Sequence, residues 1–191
     1  LKVYHDYIEK TITIDEFVIK EPTDKNPLNL SLENLNFMLD VHNDSLLLNI
    51  AWDDDIKEDR NKANINTSFV AYENYGGLMH LTSSELIIND SIWNIAPSCY
   101  IDFKKDKTYV NNLEFYSGKQ SVSFDGFLPL NSKDTLNIDF DNFDISNFDM
   151  LTEGFGIDID GIINGDFHMS GLKKKFTFLS NLDIEDIAVN K

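Results

Sequence analysis

Apolar and polar residues alternate along most of this chain with a period of two. Ile12 and Ile14 alternate with Thr11, Thr13 and Asp15, and Phe17 and Ile19 resume after a one-residue slip. Leu28, Leu30 and Leu32 follow, then Leu35, Phe37 and Leu39 after another slip, and Leu46, Leu48, Ile50 and Trp52 without one. The second half repeats the texture at Ile101 and Phe103, Leu136, Ile138 and Phe140, Phe176 and Phe178, and Ile187 and Val189. Successive side chains of a strand point to opposite faces, so each run predicts a strand with one apolar face. Short runs separated by turn residues give roughly fifteen strands, the pattern of an all-β protein. Long helices are absent from the pattern, which disfavours a parallel α/β sheet and favours antiparallel hairpins.

One motif recurs within this texture. Val122-Ser123-Phe124-Asp125-Gly126-Phe127-Leu128 is echoed by Ile157-Asp158-Ile159-Asp160-Gly161-Ile162-Ile163, and more loosely by the stretch from Asn164 to Gly171. The Asp-Gly step predicts a turn or a bulge, because Gly tolerates positive φ and Asp bonds nearby backbone. Repetition suggests stacked units of one architecture.

Two departures from the strand pattern stand out. Residues 53–64 are polar and charge-rich and predict a loop. Ser146, with Asp149 in the acidic position of a capping box, predicts a short helical turn near 146–153 that ends at Gly154. The chain reads as a single elongated β domain over 1–191, with a weak subdivision into 1–84 and 85–191. It begins at Leu1 and ends at Lys191 without a recognisable tail, so the expectation is a section of a longer chain.

Composition narrows the function classes. A hydrophobic content of 42% with 14 Phe can fill a core despite a net charge of −17. That charge argues against binding nucleic acid, whose phosphates need Lys and Arg. The single Cys, Cys99, excludes an internal disulfide and reads as structural. No apolar run approaches the ~18 residues of a membrane span. His5, His42, His80 and His168 are scattered without metal-ligand spacing. Asp53-Asp54-Asp55 and Asp139-Phe140-Asp141 lack the ligand spacing of a calcium loop. No phosphate loop, nucleophile elbow or Cys-x-x-Cys occurs, so the reading is a non-enzyme without cofactor or metal.

The apolar stripe remains. It fits a closed core between two sheets, and it fits equally an open groove facing a greasy ligand. Ser91-Ile92-Trp93-Asn94-Ile95-Ala96-Pro97, Gln120 to Gly126, Asn142-Phe143-Asp144-Ile145 and Gly161-Ile162-Ile163-Asn164-Gly165 occur in an order that resembles the translocation and assembly module family, TamB, of Bacteroidetes-type bacteria. The resemblance covers about Glu85 to Asn190. It implies stacked, mostly antiparallel strands curved into an open groove, a β-taco; a closed β-sandwich is the alternative that the alternation itself leaves open. It implies a periplasmic section of an envelope-spanning protein anchored in the inner membrane through other parts. It further implies phospholipid transport between inner and outer membranes, or outer-membrane protein assembly with a β-barrel partner bound elsewhere on the full chain. The alternative function is a non-catalytic sandwich recognising glycan or protein, with Trp52 or Trp93 as stacking candidates.

Alternation names the candidate groove lining: Val122, Phe124, Leu136, Ile138, Phe140, Ile157, Ile159, Phe176 and Phe178. Acyl chains must be kept from water at about 0.8 kcal/mol per CH₂, and such a row would shield them. Strands spaced about 4.8 Å apart make the length of the row depend on whether one or two strands occupy each rung.

Overall fold

The computed structural model describes residues 8–18, 31–42, 45–53, 62–73, 75–82, 84–88, 90–130, 133–148, 158–172 and 175–190. Within them the chain forms β1 (Ile8–Val18), β2 (Ser31–His42), β3 (Ser45–Asp53), β4 (Lys62–Ala71), β5 (Gly76–Leu81), β6 (Glu85–Ile88) and β7 (Ser91–Ile95). There follow β8 (Tyr100–Lys104), β9 (Thr108–Ser117), β10 (Gln120–Phe127), β11 (Thr135–Asp144), β12 (Asp158–Ser170) and β13 (Thr177–Asn190). One 3-10 turn, Ile145–Phe148, follows β11.

All thirteen strands belong to one sheet, and its pairs are antiparallel. The main path runs β1-β2-β3-β4-β5-β8-β9-β10-β11-β12-β13. The first and last strands of this path do not pair with each other, so the sheet is open and is not a sandwich of two sheets. Between β4 and β9 the sheet divides. Residues 67–71 of β4 pair with β5, whereas residues 62–64 pair with β6. Likewise β9 pairs with β8 through residues 108–111 and with β7 through Phe115 and Tyr116. Two short arms therefore share one section of the sheet, so strand number overstates its length.

The apolar row demands curvature. Trp93 on β7 lies three strand spacings from Phe143 on β11, through β9 and β10. In a flat sheet that is about 14 Å. The two rings are 5.7 Å apart between centroids. The sheet curls so that side chains from separated strands meet on its inner side.

Bulges supply part of that curl, because an extra residue on one strand bends it and raises the local twist. The Asp-Gly and Asn-Gly steps are bulge sites rather than turns. Opposite Asp125-Gly126, β9 carries one extra residue, and Asn112 takes φ of 42°. The Asp125 carboxylate accepts the Asn112 backbone N–H at 3.2 Å. The same device recurs opposite Asn164-Gly165: β11 is bulged, Asn142 takes φ of 46°, and its N–H donates to Asn164 Oδ1 at 2.8 Å. A third bulge, on β13 at Asp186 with φ of 52°, faces Gly161. The recurring sequence motif is thus a recurring way to bend the sheet.

Two expectations need correction, the capping residue of the helical turn and the ends of the predicted loop. A helical turn is present at Ile145–Phe148, beyond which residues 149–157 lie outside the described residues, and its start is capped by Asp144, whose Oδ1 accepts the Ser146 N–H at 3.0 Å. Ser146 therefore receives a cap and does not supply one; Asp149 and Gly154 lie outside the described residues. Of the predicted loop 53–64, Asp53 belongs to β3 and residues 62–64 belong to β4, and residues 54–61 lie outside the described residues. Alternation of Ala63 and Ile65 with Asn64 and Asn66 belongs to β4, and the polar row masks it in the sequence. The described residues form thirteen strands of the roughly fifteen expected, and Ile19, Leu28 and Leu30 of the predicted runs lie outside the described residues.

Cys99 sits in the link from β7 to β8 and is fully enclosed, with Ala96 and Leu81 also buried in the divided section. Its N–H donates to the Ala96 carbonyl at 3.3 Å. Burial pushes the thiol pKa up, offset in part by backbone hydrogen bonds, that from Leu81 foremost. The unfolded thiol ionises first as pH rises. Its effect on stability is therefore nil below the ordinary thiol range and becomes destabilising as pH climbs through it towards the raised native value. We expect an aromatic disulfide reagent at neutral pH to label Cys99 much more slowly in native than in urea-unfolded protein. Equal rates would show that the thiol is not enclosed.

Candidate functional site: the inner apolar face

Cross-strand register joins the apolar positions of successive strands into one row. Phe37 faces Ile50, which faces Ile65; Leu39 faces Leu48, which faces Thr67; Val41 faces Leu46, which faces Phe69. Phe69 then meets Met79, Met79 meets Ile101, and Ile101 meets Val110. Val110 faces Gly126, and beyond the bulge Leu113 faces Phe124 and Phe115 faces Val122. Val122, Phe124 and Gly126 lie opposite Phe140, Ile138 and Leu136. These lead to Gly165, Phe167 and Met169 on β12, and Met169 faces Phe178 on β13. Period two keeps all of these on one face, and each bulge restores the phase that a slip would have lost.

Among the described residues, every strand position with a buried side chain lies on this face: Leu35, Ala63, Thr67, Leu81, Trp93, Val110, Val122, Leu136 and Phe143. At its centre Trp93, Val122 and Phe143 pack together, with Leu86, Ile88, Phe115, Phe124, Ile138 and Phe140 against them. Phe115 and Phe124 meet edge to face at 6.3 Å, and Phe140 and Phe143 at 5.5 Å. Such geometries suit the ring quadrupole.

Coverage is graded along the row. Val122 and Leu136 are 9% and 8% exposed. Phe124, Ile138, Phe140 and Ile159 are half-buried. On and beside the edge strand β13 the same face opens: Phe176 is 50% exposed, Phe178 56%, Ile187 61% and Val189 59%. Phe178 stacks on Phe167 with centroids 5.5 Å apart and lies 5.9 Å from Phe176. Of the nine predicted lining residues, Ile157 lies outside the described residues. The register sets Val122, Phe124, Leu136, Ile138, Phe140, Ile159 and Phe178 on the inner face, and Phe176 lies just before β13.

Alternation within single strands misses the residues reached only through a bulge. Phe143 falls out of phase with Phe140 by one residue, and Leu113 and Phe115 fall out of phase with Val110. The signal is present in Asn112 and Asn142, residues that accept positive φ more readily than most. Trp93 is 2% exposed, so it offers no stacking surface for a glycan; Trp52 is half-buried on the same inner face.

The opposite face is polar over β11 and β12. Asp139 and Asp141 are exposed there, as the wet side of a strand. His168 is partnered by Asn137 Oδ1 at 2.7 Å and Asp166 Oδ2 at 3.0 Å. Asp125 also accepts from the Tyr109 hydroxyl at 3.5 Å, and the Tyr109 pKa is raised, first by burial and then by the Asp125 charge. Among the described residues no group of His, Cys, Asp and Glu is arranged to hold a metal ion, and no helix is long and apolar enough to cross a membrane.

Compared with protein-family models, curated proteins and solved structures, the chain finds no match.

Proposed function

We propose that the inner face is a sliding surface for phospholipid acyl chains, and that the chain is a periplasmic section of an envelope-spanning protein of the TamB kind. The observation that carries this reading is the continuity of the row: one apolar face runs by register from β2 to β13 and emerges uncovered at the edge. A tail on such a face moves between equivalent apolar positions, so no residue need act as a catalyst. The open side leaves a charged head group in water, where burying it would cost far more than the tail gains. Partners in the inner membrane, and a β-barrel in the outer, would be met by other parts of the full chain.

The test is photocrosslinking from two neighbouring sites. Phe178 is on the inner face and Leu179, 70% exposed, on the outer. With a benzophenone side chain at each position in turn, we expect a phospholipid adduct from position 178 and little from 179, although 179 is the more exposed. Equal adducts at both sites would reduce the effect to general stickiness, and none at 178 would end the transport reading.

A further inference from the structure

A second candidate site lies on the other side of the sheet. Outer-row residues of β2, β3 and β4, with Glu85 of β6, Thr82 and Ser84, form most of the wall of an open pocket of about 780 Å³, which Leu48 and Thr67 of the inner row also border. That is within the range of roughly 300–1,000 Å³ typical of small-molecule sites. Its wall holds two carboxylates, Asp40 and Glu85, three amides, Asn49, Asn64 and Asn66, and the hydroxyls of Thr82 and Ser84. The link is tied down: the Thr82 N–H donates to the Asn66 carbonyl at 2.8 Å, and Ser84 Oγ accepts the Asn66 N–H at 3.0 Å.

The polar groups are organised but incompletely used. Asn49 Nδ2 donates to Asn64 Oδ1 at 2.6 Å and to Asn66 Oδ1 at 2.9 Å. Asn49 thus keeps a carbonyl acceptor, and Asn64 keeps an amide donor. Asp40 Oδ1 is buried with no hydrogen-bond partner among the described residues. A buried acceptor without a donor costs about 1–3 kcal/mol, so it calls for one. Beside these groups stand two exposed aliphatic side chains, Met38 and Leu47.

We propose that this pocket binds an uncharged sugar. Two carboxylates, with no Lys or Arg among the described residues of the wall, repel an anion. A simple ammonium would satisfy the carboxylates but has no acceptor for the Asn64 N–H. Hydroxyl groups both donate and accept, which matches the mixed set, while the C–H face of a pyranose matches Met38 and Leu47. The carboxylates and amides of the site stand on the outer rows, and only Leu48 and Thr67 of its border belong to the inner row, so failure of the sugar proposal leaves the acyl reading intact.

The test is an NMR titration of the whole chain, following the side-chain amides of Asn49 and Asn64. Maltose and N-acetylglucosamine are the probes, with sodium phosphate and putrescine as the charged comparisons. We expect saturable shifts of these amides with at least one sugar. Asp40→Asn should weaken that binding about tenfold through loss of a charge-assisted acceptor, with the urea midpoint retained. Glu85→Gln, at an exposed position, is the second variant and should weaken it in the same direction. No saturable shift with either sugar at tens of millimolar overturns the proposal. So do shifts with putrescine or phosphate alone, or sugar binding unchanged in both variants.

Discussion

Trp93→Ala should lower unfolding stability by about 3–5 kcal/mol, the usual cost of emptying a large buried aromatic site. For a chain of this size that corresponds to a fall in Tm of roughly 10 °C. The indole is 2% exposed and packs with Val122, two strand spacings away, and Phe143, three away. Its removal deletes the largest side chain that packs the β6–β7 arm against β10 and β11. Collapse cannot refill the site, because the backbone beneath it is fixed by ladders to β6 and β9. Trp93→Phe should cost far less. The indole Nε1 is buried without a hydrogen-bond partner among the described residues, so the smaller ring removes an unsatisfied donor along with some volume. Urea denaturation of the two variants checks this. A Trp93→Ala loss below about 1 kcal/mol, the level of an ordinary surface change, would mean that the curl does not depend on this contact.

Gly165→Ala should destabilise by about 3 kcal/mol, from strain at positive φ and a backbone collision together. Gly165 takes φ of 119°, and a Cβ there would strike the Asn181 carbonyl oxygen on β13. That oxygen belongs to a strand paired with β12 along nearly its whole length, so it cannot move alone. Gly118 is the control. It takes φ of 60° in the β9–β10 turn, and a methyl group there would have nothing within 4 Å. Gly118→Ala should cost only about 1 kcal/mol, the strain without the collision. Equal losses at both sites would show that Gly165 does not approach the β13 backbone tightly.

Much of the inner face is legible in the sequence. Alternation at Val122 and Phe124, and at Leu136, Ile138 and Phe140, names residues that the register sets opposite one another. Phase changes hide the rest. Phe143 and Leu113 follow a bulged Asn, and a reader counting by twos places them on the wrong side. The pocket on the outer face is not legible at all. Asp40, Asn49, Asn64 and Glu85 come from four strands, and nothing in their spacing along the chain marks them as neighbours.

The period-two pattern, the lack of long helices and the Gly steps determined by themselves that this chain is antiparallel β with one apolar face per strand. Those are local properties: a strand's faces follow from its own backbone, and a Gly permits a bulge whatever surrounds it. Only the tertiary structure decided that β5–β8 and β6–β7 lie side by side, that Trp93 is sealed, and that Phe178 on the same face is not. Coverage of a side chain is set by how far the sheet curls over it and by whether another strand lies beyond. Both are sums over residues distant in the chain, and alternation within one strand carries no record of them.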